Sequence, residues 1–206
     1  MIGVGIMIKN IIFDIGNVLL NFKPNEYLES KIAKESIAAV KEAVFDSPEW
    51  PMLDEGTITE KEAIRVISER NAEIKELVEL AFDNWYEMLT PMESSVELLK
   101  SLKNKGYNIY YLSNFQELAY DYIIREYEFF GLFDGGVASF EEKLMKPGKD
   151  IYEKLMERYD LKPEECLFMD DTALNIKGAE NVGMKGIVFT TAEDAKDKLK
   201  EFEVIV

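Results

Sequence analysis

The sequence predicts an α/β protein: a doubly wound parallel sheet with an all-helical segment inserted after the first strand. Three observations carry that expectation. Short apolar runs rich in β-branched and aromatic residues alternate with amphipathic helical stretches, and such alternation builds an open sheet with helices on both faces. The runs are almost continuously apolar, which suits parallel strands buried on both faces. The segment 23–89 carries helical patterns only, although a crossover between parallel strands needs only about a dozen residues.

Strands are expected at 10–15, 107–113, 136–139, Cys166–Asp170 and 186–189, each between turn signals. Within the insert, helical patterns cover 24–46, with breaks the pattern does not place, then 59–71 and 73–88. Thr59 and Glu62 have the spacing of a capping box. Ser94 and Glu97 have the same spacing and open a helix that stops at Gly106. Another helix runs from about Gln116 to near Gly131, and one follows Pro147, whose ring suits a first helical turn. The last two run from about Ala173 to Gly183 and from Thr191. The expected division is a core of residues 1–22 and 90–206 and a helical cap of residues 23–89, placed over the carboxyl end of the first strand.

Composition narrows the chemistry. Lys and Arg number 24 and Asp and Glu 40, a net charge of −16 over 206 residues. Nucleic acids and anionic membranes want clustered cations, so neither is an expected partner. The chain has no histidine, which excludes serine–histidine triads, HExxH zinc sites and the usual zinc deaminases. Its one cysteine, Cys166, can form neither an internal disulfide nor a cysteine zinc cluster and reads as a small buried hydrophobe in a cytoplasmic protein. No run reaches about 18 apolar residues, so no membrane-spanning helix is expected. The apolar start lacks a cationic segment ahead of it and makes a poor signal peptide; either Met1 or Met7 serves as a natural start. Oligomeric state is not legible.

In open α/β sheets, ligands bind beyond the carboxyl ends of the strands. Asp14 closes the first expected strand in IIFDIGNVLL, Ser113 and Asn114 close the second in YYLSNF, and Lys146 precedes Pro147. Asp170 and Asp171 close a later strand in CLFMDD, with Asn175 a helical turn on. Singly, each has an ordinary explanation as a turn, a cap or a solvated charge. Together they offer a carboxylate nucleophile, hydroxyl and amide donors, a fixed cation and a carboxylate pair, which suit Mg²⁺ and a phosphate in one crevice. Trp50, in SPEWPMLDEG, reads as a cap-loop residue with a packing role.

This set, in this order, resembles the haloacid dehalogenase-like hydrolase superfamily, whose core is Rossmann-like and whose helical cap follows the first motif. FDIGNVLL and the cap phrase LDEGTIT look closest to its bacterial sugar-phosphate phosphatases, such as α-glucose-1-phosphatase. The resemblance implies phosphoryl transfer to Asp14 and hydrolysis of the aspartyl-phosphate by water. It implies Mg²⁺ held by Asp14, Asp170, Asp171 and the Gly16 carbonyl, with Ser113, the Asn114 amide and Lys146 on the phosphate oxygens. The expected substrate is a small phosphorylated metabolite, with a sugar phosphate as one candidate. One departure stands out: the family's phosphatases usually carry an acid–base Asp two residues after the nucleophile, and here that residue is Gly16. Asp54 or Glu55 of the cap is a possible substitute. Two rival readings stay open: a metal-independent 2-haloacid dehalogenase, which would lack the acidic pair, and a catalytically weak binding or regulatory protein on the same fold.

Overall fold

The computed structural model describes residues 7–206. The apolar runs form five parallel strands, β1 (Asn10–Phe13), β2 (Asn108–Ser113), β3 (Gly135–Ala138), β4 (Cys166–Asp170) and β5 (Lys185–Val188), in the order β3-β2-β1-β4-β5. Side chains of the two faces enter two separate cores. Ile11, Phe13, Leu167 and Met169 pack on one side, and Ile12, Leu112, Phe168 and Tyr152 on the other. Burial on both faces is why the strands read as unbroken apolar runs rather than as alternating ones. Cys166 is buried, as expected, and accepts from Asn10 Nδ2 at 3.5 Å.

The chain leaves β1 toward β2 and β3, then returns to place β4 and β5 on the other side. Order therefore reverses between β1 and β4, the place where ligands bind in sheets of this kind. Phe13 pairs with Tyr111 and Met169, so Asp14 emerges beside the ends of both neighbouring strands. The ladder stops two residues earlier than the sequence suggests. The chain turns on Ile15, whose carbonyl accepts from Leu19 and Leu20 at 2.9 Å each.

The insert is helical throughout its regular elements: α1 (Pro24–Lys31), α2 (Ile37–Val44), α3 (Glu49–Asp54), α4 (Glu60–Arg70) and α5 (Lys75–Phe82), with short 3₁₀ turns between α1 and α2 and between α4 and α5. Helix α3 lies where the sequence reads as a loop. Pro51 sits in its first turn, where the missing N–H has no intrahelical partner to lose. The remaining helices are α6 (Glu93–Asn104), α7 (Glu117–Glu126), α8 (Ser139–Glu142), α9 (Lys149–Tyr159), α10 (Ala173–Asn181) and α11 (Ala192–Glu201).

Two helix starts differ from expectation. Thr59 caps α4 by accepting from the Glu62 N–H at 3.2 Å. Ser94, by contrast, lies inside α6, which starts after Met92 and has no side-chain cap. Tertiary structure sets that start: the Met92 N–H donates to Leu19 O at 2.8 Å, and the Ser95 and Val96 N–H groups already turn back on Met92. Pro147 stands ahead of the α9 cap, Gly148, rather than in its first turn, and follows Lys146 through a cis peptide bond. Among the described residues no helix is long and apolar enough to cross a membrane. The choice between Met1 and Met7, and most of the apolar start, concern residues 1–6, which lie outside the described residues.

The difference between the two boxes is measurable. Thr59→Ala should lower unfolding stability by about 1 kcal/mol, the usual worth of an N-cap. Ser94→Ala, at an exposed helical position, should change it by no more than a few tenths, in the stabilising direction. Urea midpoints of the two variants check both values.

Candidate active site

The sequence-predicted residues converge at the carboxyl edge of the sheet around one buried cation. The Lys146 ammonium lies 2.8 Å from Asp14 Oδ1 and 2.6 Å from Asp170 Oδ2, with 1% of its side chain exposed. The Phe168 ring lies beneath it, 5.2 Å away. Asp14 Oδ1 also accepts from Ser113 Oγ at 2.6 Å and from the Ile15 N–H at 2.8 Å. Three donors thus crowd one oxygen of Asp14, while Oδ2 takes none from the described residues. Burial pushes the Asp14 carboxyl up; Lys146 pulls it back, Asp170 adds to the rise, and the net shift is upward. Burial works against the Lys146 charge too, but Asp14 and Asp170 outweigh it and hold its pKa above the ordinary lysine value.

Asp170 is fully engaged. Besides Lys146, it accepts from the Thr172 N–H at 2.8 Å and from Asn175 Nδ2 at 3.0 Å on both oxygens. Asp171 differs: it is exposed, and its Oδ2 accepts from Asn17 Nδ2 at 3.2 Å. Asn17 went unnoticed in the sequence. It has φ of 53°, a left-handed conformation that Asn tolerates better than most residues. Its Oδ1 accepts from the Phe22 N–H at 3.2 Å, so one side chain fixes both the turn and Asp171. The Asn114 side chain clamps the Lys146 main chain, donating to Lys146 O at 3.1 Å and accepting from its N–H at 2.9 Å.

Carboxylate oxygens of Asp14, Asp170 and Asp171 lie within 4.8 Å of one another. Asp14 and Asp171 line a cavity of about 220 Å³, while Asp170 lies buried behind it. Asp14, Gly16 and Ser113 form its floor, and Trp50, Asp54 and Trp85 of the insert form a wall. Of the two cap carboxylates singled out above, Asp54 lines this cavity and Glu55 does not. Trp50 both packs and lines. It is 9% exposed, with Phe45 and Trp85 at centroid distances of 4.7 and 4.9 Å.

The family model of haloacid dehalogenase-like hydrolases matches residues 8–183. The chain belongs to this family. The sesquiterpene phosphatase AstK of Aspergillus oryzae is 25% identical over 182 residues, which cover 88% of this chain and 90% of that protein. A haloacid dehalogenase family enzyme of Bacteroides thetaiotaomicron, solved as a magnesium complex, is 25% identical. It covers 94% of this chain and 98% of its own, with a TM-score of 0.71. The L-2-haloacid dehalogenase of Xanthobacter autotrophicus, with chloropropionic acid covalently bound, shares the fold at 16% identity and a TM-score of 0.66. That likeness covers 97% of this chain and 85% of the dehalogenase.

In this family member the half-buried Asp54 carboxyl is itself perturbed. Burial pushes its pKa from 3.8 up to about 7, with Gln116 and Lys146 acting against the rise and Asp14 adding to it. The folded protein therefore keeps this proton to higher pH than the unfolded chain. Between the two pKa values the folded state binds more protons, so this group's contribution falls as pH rises from about 4 to about 7. Asp54→Asn removes that penalty. Its thermal midpoint should exceed the wild-type value at about pH 8 and match it at about pH 3, where the carboxyl is protonated in both states.

Proposed function

We propose that this hydrolase is a Mg²⁺-dependent phosphatase of a small phosphomonoester, working through an aspartyl-phosphate on Asp14. The observation that carries the reading is the cluster of three carboxylates with Lys146 against two of them. A donor set made only of oxygens, with no histidine in the chain, suits a hard ion such as Mg²⁺. Asp14 through its open Oδ2, the exposed Asp171 and the Gly16 carbonyl would hold the ion. Asp170 belongs to the acidic set, but its oxygens already serve Lys146, Thr172 and Asn175, and its part in this reading is to fix Lys146. When bound, the ion neutralises charge on the phosphate and opens phosphorus to attack.

The chain's own groups do the rest. Asp14 supplies the attacking carboxylate oxygen. Ser113 and Lys146, both on Asp14 Oδ1, stand where they can also donate to phosphate oxygens and spread the charge of the transition state. The Asn114 side chain is engaged with Lys146, so its backbone N–H is the amide this reading assigns to the phosphate. Of the expected core of residues 1–22 and 90–206, the described part acts as the core, and residues 23–89 act as the cap, with Trp50, Asp54 and Trp85 lining the site.

A cavity of about 220 Å³ suits a small substrate. Phe22, Trp50, Trp85 and Leu89 give it an apolar side. That side supports a flat or apolar leaving group ahead of a hydroxyl-rich sugar, in keeping with the name of the Aspergillus relative. The substrate is a small phosphorylated metabolite, with no nucleic acid and no membrane as partner. The Asp170–Asp171 pair speaks against the metal-independent dehalogenase, and Gly16 is the one feature favouring a catalytically weak protein.

EDTA should abolish hydrolysis of an aryl phosphate and Mg²⁺ should restore it, while 2-haloacids release no halide. Asp14→Asn should lower turnover at least about 10³-fold, because the covalent route is lost. An aryl phosphate should outpace a hexose phosphate in kcat/KM. Full activity in EDTA, or near-normal turnover by Asp14→Asn, would overturn the reading.

A further inference from the structure

We propose that Asp54, carried by the insert, is the proton donor and acceptor that Gly16 cannot supply; the inference rests on the phosphatase reading of the same site. Asp54 and Gly16 line one cavity with Asp14, so the missing carboxyl on the floor faces a carboxyl on the wall. Asp54 is held rather than loosely exposed. Ser139 Oγ donates to its main-chain carbonyl and accepts from the Phe115 N–H at 2.9 Å, which ties the end of α3 to the loop after β2. At the other end of α3, Arg70 grips Glu49 with two hydrogen bonds of 2.8 and 2.6 Å.

The chain then turns at Gly56, where φ is +70° and a Cβ would come within 2.6 Å of Phe140 O. Only glycine lets the insert lie this close to the core at that point. A second feature marks the same wall. Gln116 is 5% exposed and lines the cavity beside Asp54, and among the described residues its Nε2 makes no hydrogen bond of good geometry. Its amide lies near enough to Asp54 to temper its pKa. A carboxyl that burial holds partly protonated near neutral pH can both give and take a proton there. The charged groups acting on it are Asp14 and Lys146, with Asp171 on the same cavity.

The chemistry balances in two steps. An oxygen of Asp14 bonds to phosphorus, the bond from phosphorus to the leaving oxygen breaks, and that oxygen takes the Asp54 proton and departs as an alcohol. The Asp54 carboxylate then takes a proton from water. The water oxygen bonds to phosphorus, the bond from Asp14 to phosphorus breaks, and hydrogen phosphate leaves with Asp54 again protonated.

The test measures wild type, Asp54→Asn, Gly16→Asp and the double variant with Mg²⁺ on phosphomonoesters running from activated aryl to simple alkyl. General acid–base groups contribute about 10²–10⁴-fold. Asp54→Asn should therefore lose about 10²-fold or more on alkyl esters. On the most activated aryl ester it should form phosphoenzyme at close to the wild-type rate. That phosphoenzyme should accumulate, because water is no longer activated, and acid-quenched intact mass detects it.

A Cβ at Gly16 meets nothing within 4 Å, and its φ lies outside the left-handed region. Gly16→Asp should thus fold, and in the Asp54→Asn background it should restore alkyl-ester turnover. Should Asp54→Asn not fold, Asp54→Ser is measured in its place with the same expectations. Wild-type alkyl turnover in the variant overturns the proposal. So does an equal loss across the series without phosphoenzyme, which marks a structural role. The parent reading has its own readout: Asp14→Asn should fail on every ester. If Asp14 proves essential while Asp54 does not, only the present proposal falls; inactivity of the wild type on the whole series ends both.

Discussion

Lys146 between Asp14 and Asp170 is the interaction on which the site depends. Burying an ion costs several kcal/mol unless partners surround it. Here the ammonium meets both carboxylates at 2.8 and 2.6 Å, and Asp170 is completed by Thr172 and Asn175. Removing one member of such a set costs about 3–5 kcal/mol, because an uncompensated charge is left behind. The same contacts join β1, β4 and the connection before α9, while Asn114 adds the end of β2. Stability and chemistry therefore share one set of atoms. Asp14 Oδ1 is held by the partners that fix the sheet edge, and its Oδ2 takes no hydrogen bond from the described residues.

The insert obeys a different logic. Its centre is aromatic, with Trp50 packed against Phe45, Phe82 and Trp85, and Trp85 Nε1 donates to Glu60 Oε2 at 3.1 Å. Rings that are apolar in body and polar at one edge serve both as core and as cavity wall. Helix α3 has only six residues and would not persist alone. Its place comes from the Glu49–Arg70 pair, with the Glu49 carboxyl held below its usual range chiefly by the Arg70 hydrogen bond, and from the tie at Ser139.

The sheet and the meeting of Asp14, Ser113, Lys146 and Asp170 were legible because both arise from local pattern. Apolar runs mark strands buried on two faces; Asp14, Ser113 and Asp170 sit at or just beyond the ends of such runs, and Lys146 is marked by the Pro147 that follows it. What escaped depends on tertiary contact. Helix α3 was hidden by Pro48 and Pro51, which read as loop residues until the first-turn position of Pro51 is known. Ser94 has the spacing of a cap, but the hydrogen bond from Met92 to Leu19 starts the helix sooner. Asn17 looks like any turn residue, and nothing local shows that its amide reaches Asp171, 154 positions away. The placing of Asp54 rather than Glu55 in the cavity depends on how α3 is rotated against the core, which no spacing encodes.

The buried lysine also ties the proposed metal and phosphate together through charge. With all groups ionised, Asp14, Asp170, Asp171 and Lys146 leave a surplus of two negative charges at the sheet edge, within a chain already at −16. A phosphate dianion approaching that edge alone is repelled. A divalent cation cancels the surplus, and the lysine then becomes an attraction rather than half of a balance. On the proposed function, metal and phosphate are therefore linked ligands: each tightens the other by the same factor, because the coupling free energy belongs to the pair.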